Sequence, residues 1–411
     1  MAELHSGDGN QIQAGLQQLV TERSEARELL DAVLEISRHL ELEEVLETIA
    51  RAAREVVNAR IAAVGVPDEE GRFGRLISSG SGAGSFADQI GDLPPPGNTQ
   101  QDPLQLRLDQ LKEAQQPTIT SLLTVPIPIR GARYGHLYLI DKIEGQFTDR
   151  DKQMATALAG AAGVSIKNAR LYARLRAATE DFQRRLLPPM PQLHEWELEA
   201  RYQPSGQAPN IGGDWYDLIH LPEKVPCLMV GDVMGHDVRA ATVMSQISNM
   251  LRVIAFDQRE PPSRILQRLD EVLHALHGGP MATVIVARLE GTGPSRRIWW
   301  SSAGHLPPLL AVPGEPARYL DSEAGPPLGV APELARHDNE HLMPADATVI
   351  LHTDGLVEDR AHTLQQGMDR AVSIAATHAD CPLPQLCDTL LASSRHPLED
   401  DVALLAARLA L

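Results

Sequence analysis

Cysteine is nearly absent: the chain has three, Cys227, Cys381 and Cys387. They lack the paired spacing of a metal site, and two stand in apolar surroundings that suit a reduced thiol in a core. Positive charge is short as well, with 37 Lys and Arg against 55 Asp and Glu and a formal charge of -18. No basic patch interrupts that balance. Such a chain repels phosphate backbones and anionic lipid, so neither nucleic acid nor membrane is expected as a partner. No window approaches the roughly 18 apolar residues that a membrane span needs. The start, MAELHSGDGN, has no basic n-region followed by an apolar stretch. A soluble, cytoplasmic protein is expected. What remains is the composition of a folded globular chain, 43% hydrophobic and 22% charged. Its 411 residues allow two or three domains, each with its own core.

Apolar residues recur three and four apart at Leu29, Leu30, Val33, Ile36, Leu40, Val45 and Ile49, which predicts two amphipathic helices with a break near Glu41. The runs ARIAAVGVP, GRLISSG, LLTVPIPIR and GHLYLID, separated by Gly, Pro and Asp, read as strands. The Gly- and Pro-rich stretch from Gly80 to Gln116 reads as loop. A helical segment follows from Asp149, and within it Leu171, Leu175, Ala178, Phe182 and Leu186 approach a two-heptad coiled-coil seam. Pro188, Pro189 and Pro191 end it. Beyond lie further strand-like runs at 225–230, 282–289, 296–302, 347–352 and 402–409, with helical stretches at Val238–Phe256 and Ser263–His277. The expected organisation is a tail (1–24), an α+β sensory or dimerisation domain (25–170), a helical linker (171–191) and a second α+β domain (192–411).

The acidic residues of this second domain sit at strand ends. Asp232 follows VPCLMV-Gly231, Asp354 follows ATVILH-Thr353, Asp400 and Asp401 precede VALLAARL, and Asp214 lies just upstream in IGGDWYD. An Asp beside Gly is ordinary turn chemistry; several at the ends of strands that share a sheet form a carboxylate-rich, oxygen-only site suited to Mg²⁺ or Mn²⁺. Two such ions bridged by a carboxylate would activate a water for attack on a phosphoryl group. No CxxC pattern competes, and Ser301-Ser302 is not framed as a nucleophile elbow.

The ordered motifs GGDWYD (212–217), GDVMGHD (231–237), SAGHLPPLL (302–310), PPLGV (326–330), HTDGLVED (352–359) and DDVALL (400–405), with the lead-in FQRRLLPPMP, resemble the bacterial metal-dependent protein phosphatases (PPM family) typified by stage II sporulation protein E and the general-stress sigma-factor regulators. The resemblance covers residues from about 180 to 411 and implies a PPM α-β-β-α sandwich. It implies that Asp232 bridges two Mn²⁺ or Mg²⁺ ions and that the Val233 carbonyl is a further ligand. Asp214 then completes the second metal, Asp354 and Asp400 hold the first, and Asp401 supports from behind. Asp232 and Asp214 are the residues on which catalysis would depend. Gly212, Gly213, Gly231 and Gly235 would let the backbone approach metal and phosphate, and the helix from Val238 would point its positive end at the site. His236 stands either as a general acid or as a residue that orients its loop; His305 is expected to pack or hydrogen-bond. Ala403 departs from the family, where Thr often follows DDV.

Residues 122–172, LLTVPIPIRGARYGHLYLIDKIEGQFTDRDKQMATALAGAAGVSIKNARLY, resemble the tail of a GAF domain, implying a GAF-like sensor or dimerisation module with a possible small-molecule ligand. Haem is not indicated, because no His or Cys occurs between Gly65 and Arg133. The whole then reads as a serine/threonine phosphatase acting on a phosphorylated STAS-fold anti-anti-sigma factor under GAF control, in a homodimer paired through the linker. Its rivals are a non-catalytic phosphatase-fold scaffold and a GAF-linked diguanylate cyclase. Intact aspartates oppose the first; Trp215 and Tyr216, where a cyclase needs an acidic residue, oppose the second.

Overall fold

The computed structural model describes residues 6–67, 73–81, 119–129, 132–191, 195–205, 211–221, 225–257, 260–291, 295–344, 346–394, 398 and 400–409. The chain divides into two compact units, Met1–Arg174 and Leu175–Leu411. Among the described residues no helix is long and apolar enough to cross a membrane.

The first unit runs α1 (Ser6–Ile36), α2 (Leu42–Val56), β1 (Ala59–Pro67), β2 (Phe73–Gly80), β3 (Leu122–Ile129), β4 (Ala132–Lys142) and α3 (Asp149–Leu186). Its strands pair antiparallel in the order β2-β1-β4-β3. The helical break expected near Glu41 lies between α1 and α2. The stretch 1–24, expected as a tail, is helical from Ser6 onward, and the linker begins as an uninterrupted continuation of α3 to Leu186. No proline occurs between Asp149 and Pro188 to stop that helix earlier. The loop expected over Gly80–Gln116 lies, from residue 82 on, outside the described residues. On α2, Val45, Leu46, Ile49 and Ala53 recur at helical spacing and are buried against Val64, Leu137 and Leu139 of the sheet and Leu158 and Ile166 of α3. Alternate residues of β1 and β4, Ile61, Ala63, Tyr138 and Ile140, form a smaller buried cluster.

The second unit contains β5 (Trp196–Gln203), β6 (Trp215–His220), β7 (Pro226–Val233), α4 (Val238–Asp257), α5 (Pro262–His277), β8 (Ala282–Glu290), β9 (Arg297–Ala303), β10 (Leu309–Ala311), β11 (Arg318–Tyr319), β12 (Asn339–Leu342), β13 (Thr348–His352), α6 (Leu364–Thr377), α7 (Leu383–Ala392) and β14 (Val402–Leu409). Two five-stranded sheets form, ordered β11-β10-β13-β14-β5 and β12-β9-β8-β7-β6. Their inner faces share a core that includes Leu228, Val230, Ile285, Trp300, Val349, Leu351 and Leu405. Helices α4 and α5 cover the outside of the second sheet through Met244, Ile247, Leu251, Ile265 and Leu269. Helices α6 and α7 cover the first through Ala371, Ala375, Leu386 and Leu390. The unit is therefore a four-layered α-β-β-α sandwich. Strands β13 and β14, flanked by strands on either side and covered on both faces, are buried almost throughout, as continuous apolar runs require.

Candidate active site

The antiparallel connections bring the acidic residues to one end of the sandwich. Asp232 lies near the end of β7, and Asp214 immediately precedes β6, whose Trp215 pairs with Gly231. In the facing sheet, Asp354 opens a 3-10 turn just beyond β13, and Asp400 and Asp401 lead into β14. The amide of Thr353 donates to the Ala403 carbonyl at 3.0 Å, and the Ala403 amide donates to Thr353 Oγ1 at 2.9 Å. The position that departs from the family thus keeps its backbone bonds, and its side chain is wholly buried.

The carboxyls act on one another. Asp214 is held well above the ordinary carboxylate range, first by burial and then by the charge of Asp232, with which it is in hydrogen-bond contact. Asp232 is pushed up to about 6, first by burial; contact with Asp214 pulls the other way, and the charges of Asp354, Asp400 and Asp401 add to the rise. Asp354 and Asp400 are raised too, again chiefly by burial. His236, exposed on its loop, is near enough to Asp400 to draw its pKa down slightly.

Asp401 is engaged from three directions. Tyr202 donates its hydroxyl to Oδ2 at 2.6 Å, the Ser205 amide donates to Oδ1 at 2.7 Å, and the buried Gln183 of α3 donates Nε2 to Oδ2 at 3.5 Å. Two glycines make this packing possible. A Cβ on Gly212 would stand 1.4 Å from Asp401 Oδ2, and one on Gly213 would stand 2.2 Å from the Val233 carbonyl oxygen. Those glycines therefore press on Asp401 and Val233, and Gly231 lies against the ring of Trp215. Helix α4 begins at Val238, and Asp237 caps it by accepting from the Ala240 amide at 2.8 Å.

The donor set fits a hard divalent cation: it is all oxygen, the charges repel, and Asp214 Oδ2 is buried with no hydrogen-bond partner. As the side chains stand, no group of three or more His, Cys, Asp or Glu among the described residues is arranged to hold a metal ion. Asp214 is in hydrogen-bond contact with Asp232, and Asp401 is held by its three donors. Sequence reasoning gave no role to Tyr202, Gln183 or Thr353, although Gln183 stands in FQRRLLPPMP and Thr353 in HTDGLVED.

His305 is buried between Thr283 Oγ1, which meets Nδ1 at 2.9 Å, and the His352 carbonyl, which accepts from Nε2 at 3.1 Å. Burial, then the nearby His352, lowers its pKa to about 3. A histidine held neutral in the fold contributes stability above its unfolded pKa of about 6.5, lost as pH falls from there toward 3. We expect unfolding free energy to decline by on the order of 1 kcal/mol per pH unit below about pH 6 from this group alone. Urea titrations at pH 7, 6 and 5 should show a shallower decline for His305→Gln; parallel curves would remove His305 as the cause.

Comparison with known proteins gives this arrangement its class. Residues 222–410 match the family described as Stage II sporulation protein E (SpoIIE), and residues 41–166 match the GAF domain, so a GAF-matching region precedes a SpoIIE-matching one. Among particular relatives, the phosphoserine phosphatase RsbP of Bacillus subtilis (strain 168) is 23% identical over 208 residues, 49% of this chain and 48% of that protein. The chain thus spans about half the length of that curated relative. The RsbU and RsbW domains of a Mycobacterium tuberculosis protein are 30% identical, over 52% of this chain and 60% of theirs, with a TM-score of 0.46. The SiaA-PP2C domain of Pseudomonas aeruginosa is 21% identical, over 58% of this chain and 97% of its own, with a TM-score of 0.47.

Proposed function

We propose that the chain is a cytoplasmic, metal-dependent protein serine/threonine phosphatase that dephosphorylates a regulatory phosphoprotein, an anti-anti-sigma factor of the STAS fold. The observation that carries this reading is the carboxylate cluster at the ends of two facing sheets, buried at Asp214 and half-buried at Asp232 and Asp354, with Asp214 Oδ2 unpartnered. Asp214, Asp232, Asp354 and Asp400, with the Val233 carbonyl, would hold two Mn²⁺ or Mg²⁺ ions. Bound there, the ions would supply charge neutralisation for the phosphoryl group and activation of a water. Tyr202, Ser205 and Gln183 fix Asp401 behind the site, and Gly212 and Gly213 keep the loop close. The test is phosphate release from a serine-phosphorylated STAS-fold protein with Mn²⁺, with Mg²⁺ and with chelator. Saturating metal should also raise the melting temperature by several degrees, since about 2.7 kcal/mol follows from a concentration 100-fold above Kd. Release that survives chelation, or a melt unmoved by millimolar Mn²⁺, rejects the metal site.

Control by the GAF domain is proposed through α3. Leu171, Leu175 and Phe182 are 51%, 50% and 45% exposed, and ion pairs Arg176–Glu180 and Arg185–Asp181 run along the same helix. A second copy pairing along this stripe would bury it and give a homodimer. A ligand of the GAF domain would then bias which arrangement of the pair prevails. Leu175→Glu with Phe182→Glu should yield a monomer with altered specific activity; sedimentation of the intact protein as a monomer rejects the pairing.

A further inference from the structure

Past Asp232 the chain leaves β7 and crosses the surface, where Met234 is 70% exposed. Its amide donates to the Met281 carbonyl at 3.3 Å, while Ala282 and Leu328 exchange backbone hydrogen bonds of 3.4 and 2.8 Å. Met281, 45% exposed, is thereby brought alongside it, and Val330, 51% exposed, lies on the loop two residues past Leu328. The segments touch closely: a Cβ on Gly329 would fall 2.5 Å from the Gly279 carbonyl oxygen. The Val330 loop is anchored from below, since Asp270 accepts from the Gly329 amide at 2.9 Å. Single exposed apolar residues are common. These three lie on segments bonded to one another, and the strip starts two residues from Asp232.

We propose that Met234, Met281 and Val330 form a docking surface for the phosphoprotein substrate, meeting an apolar patch that flanks its phosphorylated serine or threonine. This rests on the protein-phosphatase reading. The occupant follows from reach and charge. A phosphoserine side chain is short, so a folded protein that delivers its phosphate to Asp232 must lay its own surface on the rim that carries Met234. A chain of net charge -18 repels a phosphoprotein at long range. Burial of apolar side chains supplies an attraction that does not depend on charge. A second copy seated there would cover the site, and a small phosphate ester would not touch the strip.

The experiment compares kcat/KM of the full chain with Mn²⁺ on a serine-phosphorylated STAS-fold protein and on p-nitrophenyl phosphate, for wild type, Val330→Glu, Met281→Glu and Val330→Leu. Both Glu variants should lose at least about tenfold on the phosphoprotein, through KM, with p-nitrophenyl phosphate unchanged and Val330→Leu near wild type. Glu variants equal to wild type on the phosphoprotein, or losing equally on both substrates, overturn the docking surface. A wild type that leaves the phosphoprotein untouched overturns the substrate reading and this proposal with it, so the two failures are told apart by the wild type alone.

Discussion

Asp270→Ala is expected to destabilise the second unit by about 3–5 kcal/mol, the cost of stranding one member of a buried ion pair. Arg336 donates Nη2 to Asp270 Oδ2 at 2.6 Å, and their side chains are 1% and 0% exposed. Asp270 also accepts from the Gly329 amide, and Arg336 donates to the Pro326 carbonyl at 3.0 Å. The pair therefore staples α5 to the loop 326–336, and this is what the PPLGV motif does structurally. Arg336 Nε is already buried without a partner, so loss of the carboxylate leaves a guanidinium with a backbone carbonyl alone. For a domain of this size the change corresponds to a fall of roughly 10 °C in melting temperature. Asp270→Leu combined with Arg336→Met should recover most of that loss, because replacing both charges by apolar groups is often neutral. If Asp270→Ala melts within about 1 kcal/mol of wild type, the pair is not the staple described; if the double variant is no better than the single one, packing rather than stranded charge explains the loss.

The sandwich was legible where strands are buried on both faces. VPCLMV, ATVIVARL, ATVILH and VALLAARL are predominantly apolar because another sheet lies on one side and helices on the other. The end strands left no such trace. In WELEARYQ of β5 and WYDLIH of β6, polar and charged residues interrupt the apolar ones, since each strand closes one edge of its sheet. Helix α6 was missed for a different reason: its buried face is Gly367, Ala371 and Ala375, small residues that give little apolar periodicity yet permit close approach. A Cβ on Gly367 would lie 1.7 Å from the Val357 carbonyl oxygen. The aspartates of the site were legible because they abut apolar runs. Tyr202 and Gln183 were not, because their role depends on contacts across 199 and 218 residues of sequence that no local pattern encodes.

Asp232→Asn should move activity and stability in opposite directions, which separates a metal-site aspartate from an ordinary turn residue. Hydrolysis of phosphoprotein and of p-nitrophenyl phosphate should fall by about 10³ or more, since several kcal/mol of charge stabilisation depends on the ions and each 1.36 kcal/mol is tenfold. In chelator the same variant should melt no lower than wild type. The ionised Asp232 carboxyl is held against burial and against the charges of Asp354, Asp400 and Asp401, which is why its pKa stands at about 6. At pH 7.5 that charge costs on the order of 3 kcal/mol, the rise from 3.8 to about 6 being about two pKa units at about 1.4 kcal/mol each. Asparagine removes it while an amide N–H can still donate to Asp214. With Mn²⁺ the order should reverse, wild type gaining stability by binding and the variant gaining little. A turn aspartate would instead leave the rate intact and lower the melt in chelator and metal alike, as expected when a local hydrogen bond is lost. Asp354→Asn should follow Asp232→Asn in rate, because it too removes a negative oxygen from the proposed site.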